Sequence, residues 1–298
     1  MTDERKGAYF SLLLTFTLWG SLYVVSRFVL GKLGAFTISF FRFTIAFLTL
    51  SLFLGKNRRP LEKGDGKYVL LIGGAGYFLA VGAQLLGTRF AGASLASLIN
   101  SLNPVTMTLF GFLILGESLN LFKVLGIALA IAGTYLILGG GAASAREGII
   151  LSLFAVLLWS LVSVLTRRIS KKYPPLQLTR DGVGGAAVLY LPLAVAEITL
   201  GQTGQVDLSC VLALLYLGSV CTGVAYFLWN HSLSVLEAGV CSAFYPVQPL
   251  VSSLLGVFLL GEHLDASFFL GAVLILSGVL LGLLLGGRRA SKKAPKLP

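Results

Sequence analysis

Charge is scarce in this chain. Only 12% of its 298 residues are Asp, Glu, Lys or Arg, against roughly 25% in a soluble domain. So little charge leaves a globule of this length without a polar coat, and lipid must cover much of it. Acid is scarcer than base, with 12 Asp and Glu against 23 Lys and Arg, for a formal net charge of +11. That excess does not point to nucleic acid, because no soluble face carries it; the basic residues cluster at the ends of apolar runs. The two histidines, His231 and His263, are far apart in sequence. The three cysteines, Cys210, Cys221 and Cys241, lie in or beside apolar runs without paired spacing, and read as small buried residues rather than a disulfide or metal set. No HExxH, Walker loop or nucleophile elbow is present. No catalytic residue, cofactor or metal is therefore expected.

What fills the chain instead is apolar: 56% hydrophobic residues and a mean hydropathy of +0.89. A membrane helix needs about 20 mostly apolar residues. Ten such runs occur, at 8–30, 33–54, 68–88, 92–115, 121–139, 148–166, 176–198, 209–231, 238–260 and 266–286. They are continuous rather than alternating, which excludes a β-barrel and predicts helices. The charged start, Met1 to Lys6, with the run after it, reads as a first span. The run is too long for a signal peptide, and no small-residue cleavage site follows.

With the N-terminus placed in the cytoplasm, the inside segments hold 17 Lys and Arg, among them Lys56, Arg58, Lys171 and the tail at 287–298. The outside segments hold only Lys32, Arg89 and Arg146. This bias predicts cytoplasmic termini, an even span count and a multi-pass inner-membrane protein.

The runs fall into two halves, 8–139 and 148–286. A shift of 145 residues lays Pro104-Val105 and Leu115-Gly116-Glu117 on Pro249-Leu250 and Leu260-Gly261-Glu262, and Gly126 and Gly133 on Gly271 and Gly278. A shift of 140 lays Leu18-Trp19 and Arg27 on Leu158-Trp159 and Arg167. Five spans is an odd number, so the second half enters the membrane inverted. Secondary transporters are often built this way.

These residues also resemble a known family. Leu18-Trp19-Gly20-Ser21, Phe41-Arg42-Phe43, and Asn103-Pro104 with Leu115-Gly116-Glu117 resemble the first EamA domain of the drug/metabolite transporter superfamily. Tyr226-Phe227-Leu228-Trp229-Asn230 and Gln248-Pro249 with Leu260-Gly261-Glu262 resemble the second. The resemblance covers nearly the whole chain. It implies ten helices around a central cavity and transport of small metabolites, often amino-acid export. Small four-helix relatives use a membrane-embedded Glu in the first span, and none stands between Ala8 and Leu30 here. That argues against their cation/proton exchange.

Polar groups inside a bilayer are costly and are functional candidates. Ser97, Asn100 and Asn103 share a helix face by their spacing, and correspond by the repeat to Ser242, Tyr245 and Gln248. Asn103 and Gln248 both precede a proline near mid-span, which suits a shared site or interhelical hydrogen bonds. Trp19 and Trp159 form a second mid-span pair, either lining a wet cavity or packing a core. Tyr77 and Gln84 share a face. Pro104, Pro246 and Pro249 mark hinges or packing kinks. Arg42 meets either a substrate carboxylate or helix-end carbonyls, Arg27 snorkels outward, and Arg180 pairs with Asp181. Glu117 and Glu262 serve helix ends or gates. Gly278, Gly282 and Gly286 pack against the fifth span or against a second protomer.

The reading is an all-α membrane protein of ten transmembrane helices in two inverted five-helix repeats around a central cavity, working as a secondary transporter. Its partners are the lipid bilayer and a small-molecule substrate, with an amino acid exported from the cytoplasm as first choice. Phosphorylated or nucleotide-linked sugars, lipid-linked intermediates and a membrane-embedded enzyme are the rivals. No Asp, Glu or His lies mid-span, which leaves proton coupling, uniport and exchange open.

Overall fold

In lipid each apolar run must satisfy its own backbone N–H and C=O groups, and a helix does so locally. The computed structural model describes residues 3–54, 59–115, 120–139, 145–169, 172–204, 206–236, 241 and 244–291. Among the described residues all regular structure is helical. The helices are α1 (Asp3–Leu30), α2 (Ala35–Leu54), α5 (Leu121–Gly139), α6 (Arg146–Ile169), α7 (Pro175–Thr199), α9 (Val247–Leu260) and α10 (Ala266–Ser291). Three others are composite. In α3, Gly66–Leu70 leads through a π-helical Leu71–Ala80 into Val81–Ala91. In α8, Leu208–Leu215 leads through a π-helical Tyr216–Val224 into Ala225–Val235. In α4, Ala93–Asn100 and Asn103–Leu115 are separated by a turn at Ser101 and Leu102.

Among the described residues seven helical segments are long and apolar enough to cross a membrane, and shorter apolar helices occupy Leu121–Gly133, Val247–Leu260 and Ala266–Leu281. In the run expected at 238–260, α9 covers Val247–Leu260 after a turn at 244–246, Cys241 is helical, and positions 238–240 and 242–243 lie outside the described residues. The run at 92–115 is broken rather than continuous. Several expectations fall outside the described residues: Gly116 and Glu117, Ser242, Lys56, Arg58, Lys171 and positions 292–298 of the tail.

Large apolar side chains face outward, with Leu52 85% and Phe258 80% exposed, as a lipid-facing surface requires. Inside, α1 packs on α9 and α8, and α6 packs on α4 and α3. α2 lies against α7 and the π-helical turns of α8, while α7 lies against those of α3. The first segment of α4 crosses α9. α5 and α10 pair through glycine: a Cβ on Gly133 would stand 2.8 Å from the Gly271 carbonyl oxygen, and one on Gly278 would stand 2.5 Å from that of Gly126. Gly278 of the α10 glycine face thus meets α5 of the same chain.

The bundle has two polar ends. At one, Lys32 pairs with Asp207 at 2.6 Å and accepts the Gly204 N–H on its carbonyl at 2.7 Å. Hydrogen bonding from Lys32 holds the Asp207 carboxyl well below the ordinary range. At the other, Lys172 reaches Glu62 and Asp65 at 2.6 and 2.7 Å, and the Tyr173 hydroxyl donates to Asp65 at 2.6 Å. Gln177 and Arg59 exchange two hydrogen bonds at 2.6 and 2.9 Å.

Candidate functional site

The site begins with glycines that let helices approach. A Cβ on Gly20 would stand 2.6 Å from Cβ of Val251 and 2.9 Å from the Gln248 carbonyl oxygen, so α1 crosses α9 closely at mid-span. The π-helical turns of α3 and α8 make matching approaches. A Cβ on Gly73 would stand 2.8 Å from the Gly182 carbonyl oxygen, and one on Gly218 would stand 2.9 Å from that of Arg42. π-Helical turns alter the i→i+4 ladder and are frequent at functional sites. Here they serve side chains. The Thr222 hydroxyl donates to the Leu217 carbonyl five residues back, at 2.7 Å, and the Cys221 carbonyl accepts the Trp19 indole N–H at 3.2 Å. That bond accounts for a tryptophan so far from the interface.

Between these helices lies a cavity with about 450 Å³ of atom-free space, its mouth included. Trp19, Tyr23, Trp159, Tyr226 and Tyr245 form aromatic wall; Arg42, Gln84, Asn100 and Gln248 supply its other polar groups. The rings brace one another. Trp19 meets Tyr226 edge-on at 5.7 Å and Phe16 at 5.3 Å, and Trp159 stands 5.9 Å from Tyr226. Gln84 donates to the Tyr23 hydroxyl at 2.5 Å. Arg42 is 2% exposed. Its Nε donates to the Thr222 hydroxyl at 2.6 Å, and its guanidinium lies 5.5 Å from the Phe43 ring centroid. Among the described residues no ion pair includes it.

A polar seam joins α4 to α9 from mid-span to the Lys32 end. The Asn100 amide donates to the Gln248 side-chain oxygen at 2.8 Å. One turn on, the Ser97 and Ser252 hydroxyls are hydrogen-bonded. At the end, the Glu262 carboxylate accepts from the Ala93 and Ser94 backbone N–H groups at 2.6 and 3.0 Å. Glu197 treats α2 in the same way, accepting from Phe36 N–H at 3.1 Å and Thr37 N–H at 2.7 Å. Both carboxylates satisfy helix N-terminal donors from another helix, where the macrodipole favours negative charge.

Of the residues expected at a site, Trp19, Gln84, Asn100, Trp159, Tyr245 and Gln248 meet at the cavity. Tyr77 sits behind the wall, its ring stacked on Tyr226 at 5.4 Å. Asn103 lies outside it: its amide donates to the Asn100 side-chain oxygen at 2.8 Å, and its own side-chain oxygen accepts from Ser160 at 2.9 Å. Asn103 therefore orients Asn100. Pro104 begins the second segment of α4, and Pro246 and Pro249 begin α9. All three mark helix starts beside breaks, where the missing N–H costs least. Arg180 pairs with Asp181 at 2.6 Å, as expected. Arg27 donates to the carbonyls of Thr88 and Arg89 at the end of α3. Tyr23 and Tyr226 were not among the expected site residues. Tyr23 lies four residues after Trp19, one helical turn along α1, and that spacing could have flagged it.

Among the described residues no group of three or more His, Cys, Asp or Glu side chains could hold a metal ion. A family model described as the EamA-like transporter family matches residues 6–139 and again 146–284. A probable amino-acid metabolite efflux pump of Escherichia coli K12 is 27% identical over 286 residues, covering 93% of this chain and 94% of the relative. A transporter of Archaeoglobus fulgidus without an assigned substrate is 26% identical over 280 residues, covering 91% of this chain and 95% of the relative. A solved crystal structure matches with a TM-score of 0.68 at 23% identity, over 95% of this chain and 99% of that one. Its likeness concerns the fold.

Proposed function

Because the chain belongs to the EamA-like transporter family, we propose that it is a secondary transporter exporting an amino acid or related small metabolite across the inner membrane. It crosses the bilayer ten times in two inverted halves, 8–139 and 148–286, with both termini in the cytoplasm. The packing supports this symmetry, since α1 on α9 is mirrored by α6 on α4, and α2 on α8 by α7 on α3. The π-helical starts at Leu71 and Tyr216 lie one repeat shift of 145 apart.

The observation that carries the reading is the mid-span cavity between the halves, walled by aromatic rings and edged by Gln84, Asn100 and Gln248. Such a site holds an apolar side chain against the rings and offers the carboxamides to a polar head. Transport proceeds by alternating access. The α4–α9 seam closes the Lys32 end, assigned outside by the charge bias, and separates as the halves rock. Among the described residues the cavity lining holds one cation, Arg42, which suits a single negative group better than a diphosphate. The solute passes unchanged, as the transporter family implies; among the described residues no nucleophile–base pair lines the cavity.

Counterflow in proteoliposomes tests this. Purified full-length chain should exchange at least one labelled amino acid, and Gln248→Ala should impair exchange more than it impairs insertion. Absence of exchange across the amino acids and their close derivatives, with folding verified, would overturn the reading.

A further inference from the structure

Arg42 does something the fold does not require. By the repeat its counterpart is Gly182, and the two positions are packed alike: Gly218 sits on the Arg42 backbone and Gly73 on the Gly182 backbone. The same helix crossing therefore forms whether the position carries a guanidinium or a hydrogen. The neighbours exchange volume to match. Beside Gly182 the room is taken by Tyr77, whose ring would lie 2.8 Å from an added Cβ; beside Arg42 the residue equivalent to Tyr77 is the smaller Thr222. One half thus carries a tyrosine where the other carries a cation.

Burying an unpaired charge costs several kcal/mol. Arg42 is almost fully buried, and among the described residues no carboxylate pairs with it. Thr222 holds Nε, which restrains the guanidinium, and Arg42 is one of the residues lining the cavity. Thr222 is itself fixed by its bond to Leu217. Among the described residues no Asp or Glu lines the cavity, so the Arg42 charge is unmatched there.

We infer that Arg42 is the anion anchor of the transport site, and that the solute carries one carboxylate, received by the planar fork of the guanidinium. The rest of the solute lies against Trp19, Trp159 and Tyr226. Those ring faces also suit an ammonium group, since no acid among the described residues lines the cavity. This role rests on the transport reading above and narrows it to carboxylate-bearing solutes, excluding cationic amines.

All three tryptophans of the chain lie in the cavity wall or, for Trp229, against Trp19 at 5.6 Å. Binding to purified full-length protein is therefore readable by tryptophan fluorescence. The probes are matched sets: leucine, leucinamide and isoamylamine; phenylalanine, phenylalaninamide and phenethylamine. Wild type should bind at least one acid about tenfold or more tighter than its amide or amine. Arg42→Gln should erase that preference by weakening the acid alone, and Arg42→Lys should keep part of it. A purely structural Arg42 would lower acid and amide affinity together. Equal wild-type affinity for acid and amide, or a preference that survives in Arg42→Gln, overturns the anchor and leaves the transporter standing. Acid-selective binding without uptake in proteoliposomes upholds the anchor and overturns the transport reading. If Arg42→Gln fails to fold, the acid-against-amide comparison on wild type still decides.

Discussion

Glu262 at the end of α9 holds Ser94 at the start of α4 by two bonds, from the backbone N–H at 3.0 Å and the hydroxyl at 2.5 Å. Glu197 holds Thr37 at the start of α2 in the same way, at 2.7 and 2.9 Å. Neither helix supplies its own cap; each borrows one from a distant part of the chain. Removing a cap costs about 1–2 kcal/mol. Glu262→Ala and Glu197→Ala should each lower the melting temperature in detergent, while Glu→Gln at either place should lose less. Unchanged melting in both alanine variants would remove the capping role.

The seam between α4 and α9 predicts unequal roles for its carboxamides. Gln248→Ala and Asn100→Ala should each weaken solute affinity about tenfold and show coupling in the double variant. Asn103→Ala takes the donor from the Asn100 side-chain oxygen and one partner from the Ser160 hydroxyl, which keeps Thr106. It should cost about 1–3 kcal/mol of stability with a smaller effect on affinity. Paired measurements of affinity and melting separate the two. A larger affinity loss in Asn103→Ala than in Gln248→Ala would place the wrong residue in the wall.

Close packing at Gly20 and Gly218 is checked by adding one methyl. Gly20→Ala meets Val251, and Gly218→Ala meets Ile45 at 2.6 Å. Overpacking of this kind costs about 1–3 kcal/mol. Gly185→Ala, where nothing lies within 4 Å of the added Cβ, should be neutral or gain up to about 1 kcal/mol of helix propensity. Melting temperatures in one detergent rank the three.

Lys172 and Tyr173 hold the Asp65 carboxyl below its ordinary 3.8. A carboxyl lowered in the folded protein stabilises it above the unfolded value, and that contribution fades as pH falls through the folded value. The clamp on the α2–α3 connection should be intact at neutral pH and weaken only below about pH 4. Lys172 is exposed and Asp65 half-buried, so solvent screens the pair and the effect is small. Pepsin cleavage between Arg59 and Gly66 should rise as pH falls through that range in wild type. In Asp65→Asn it should be fast throughout. A flat wild-type profile would show that the ion pair does not hold the loop.

Helix content and most helix positions were legible because hydropathy is local: a long apolar run must become a helix in lipid whatever its neighbours do. The break at Ser101 was not legible. Asn100 to Pro104 contains a single proline, and many membrane helices pass through one unbroken. The π-helical turns of α3 and α8 were hidden for a related reason. They depend on where another backbone approaches Gly73 and Gly218, which no property of either helix alone records.

The sequence by itself determined a lipid-covered helical chain, its charge asymmetry and its internal repeat, since each is a sum over local residues. Only the tertiary structure decided which polar groups face the cavity. Asn103 and Gln248 are equivalent in the repeat, yet Ser160 and Asn100 hold the side chain of one outside the cavity, whereas the other lines the cavity with Asn100 as its partner. The same holds for Arg42, whose burial with no acid beside it among the described residues is a property of everything around it. Orientation towards a cavity is set by neighbours far along the chain, and a repeat in sequence does not fix it.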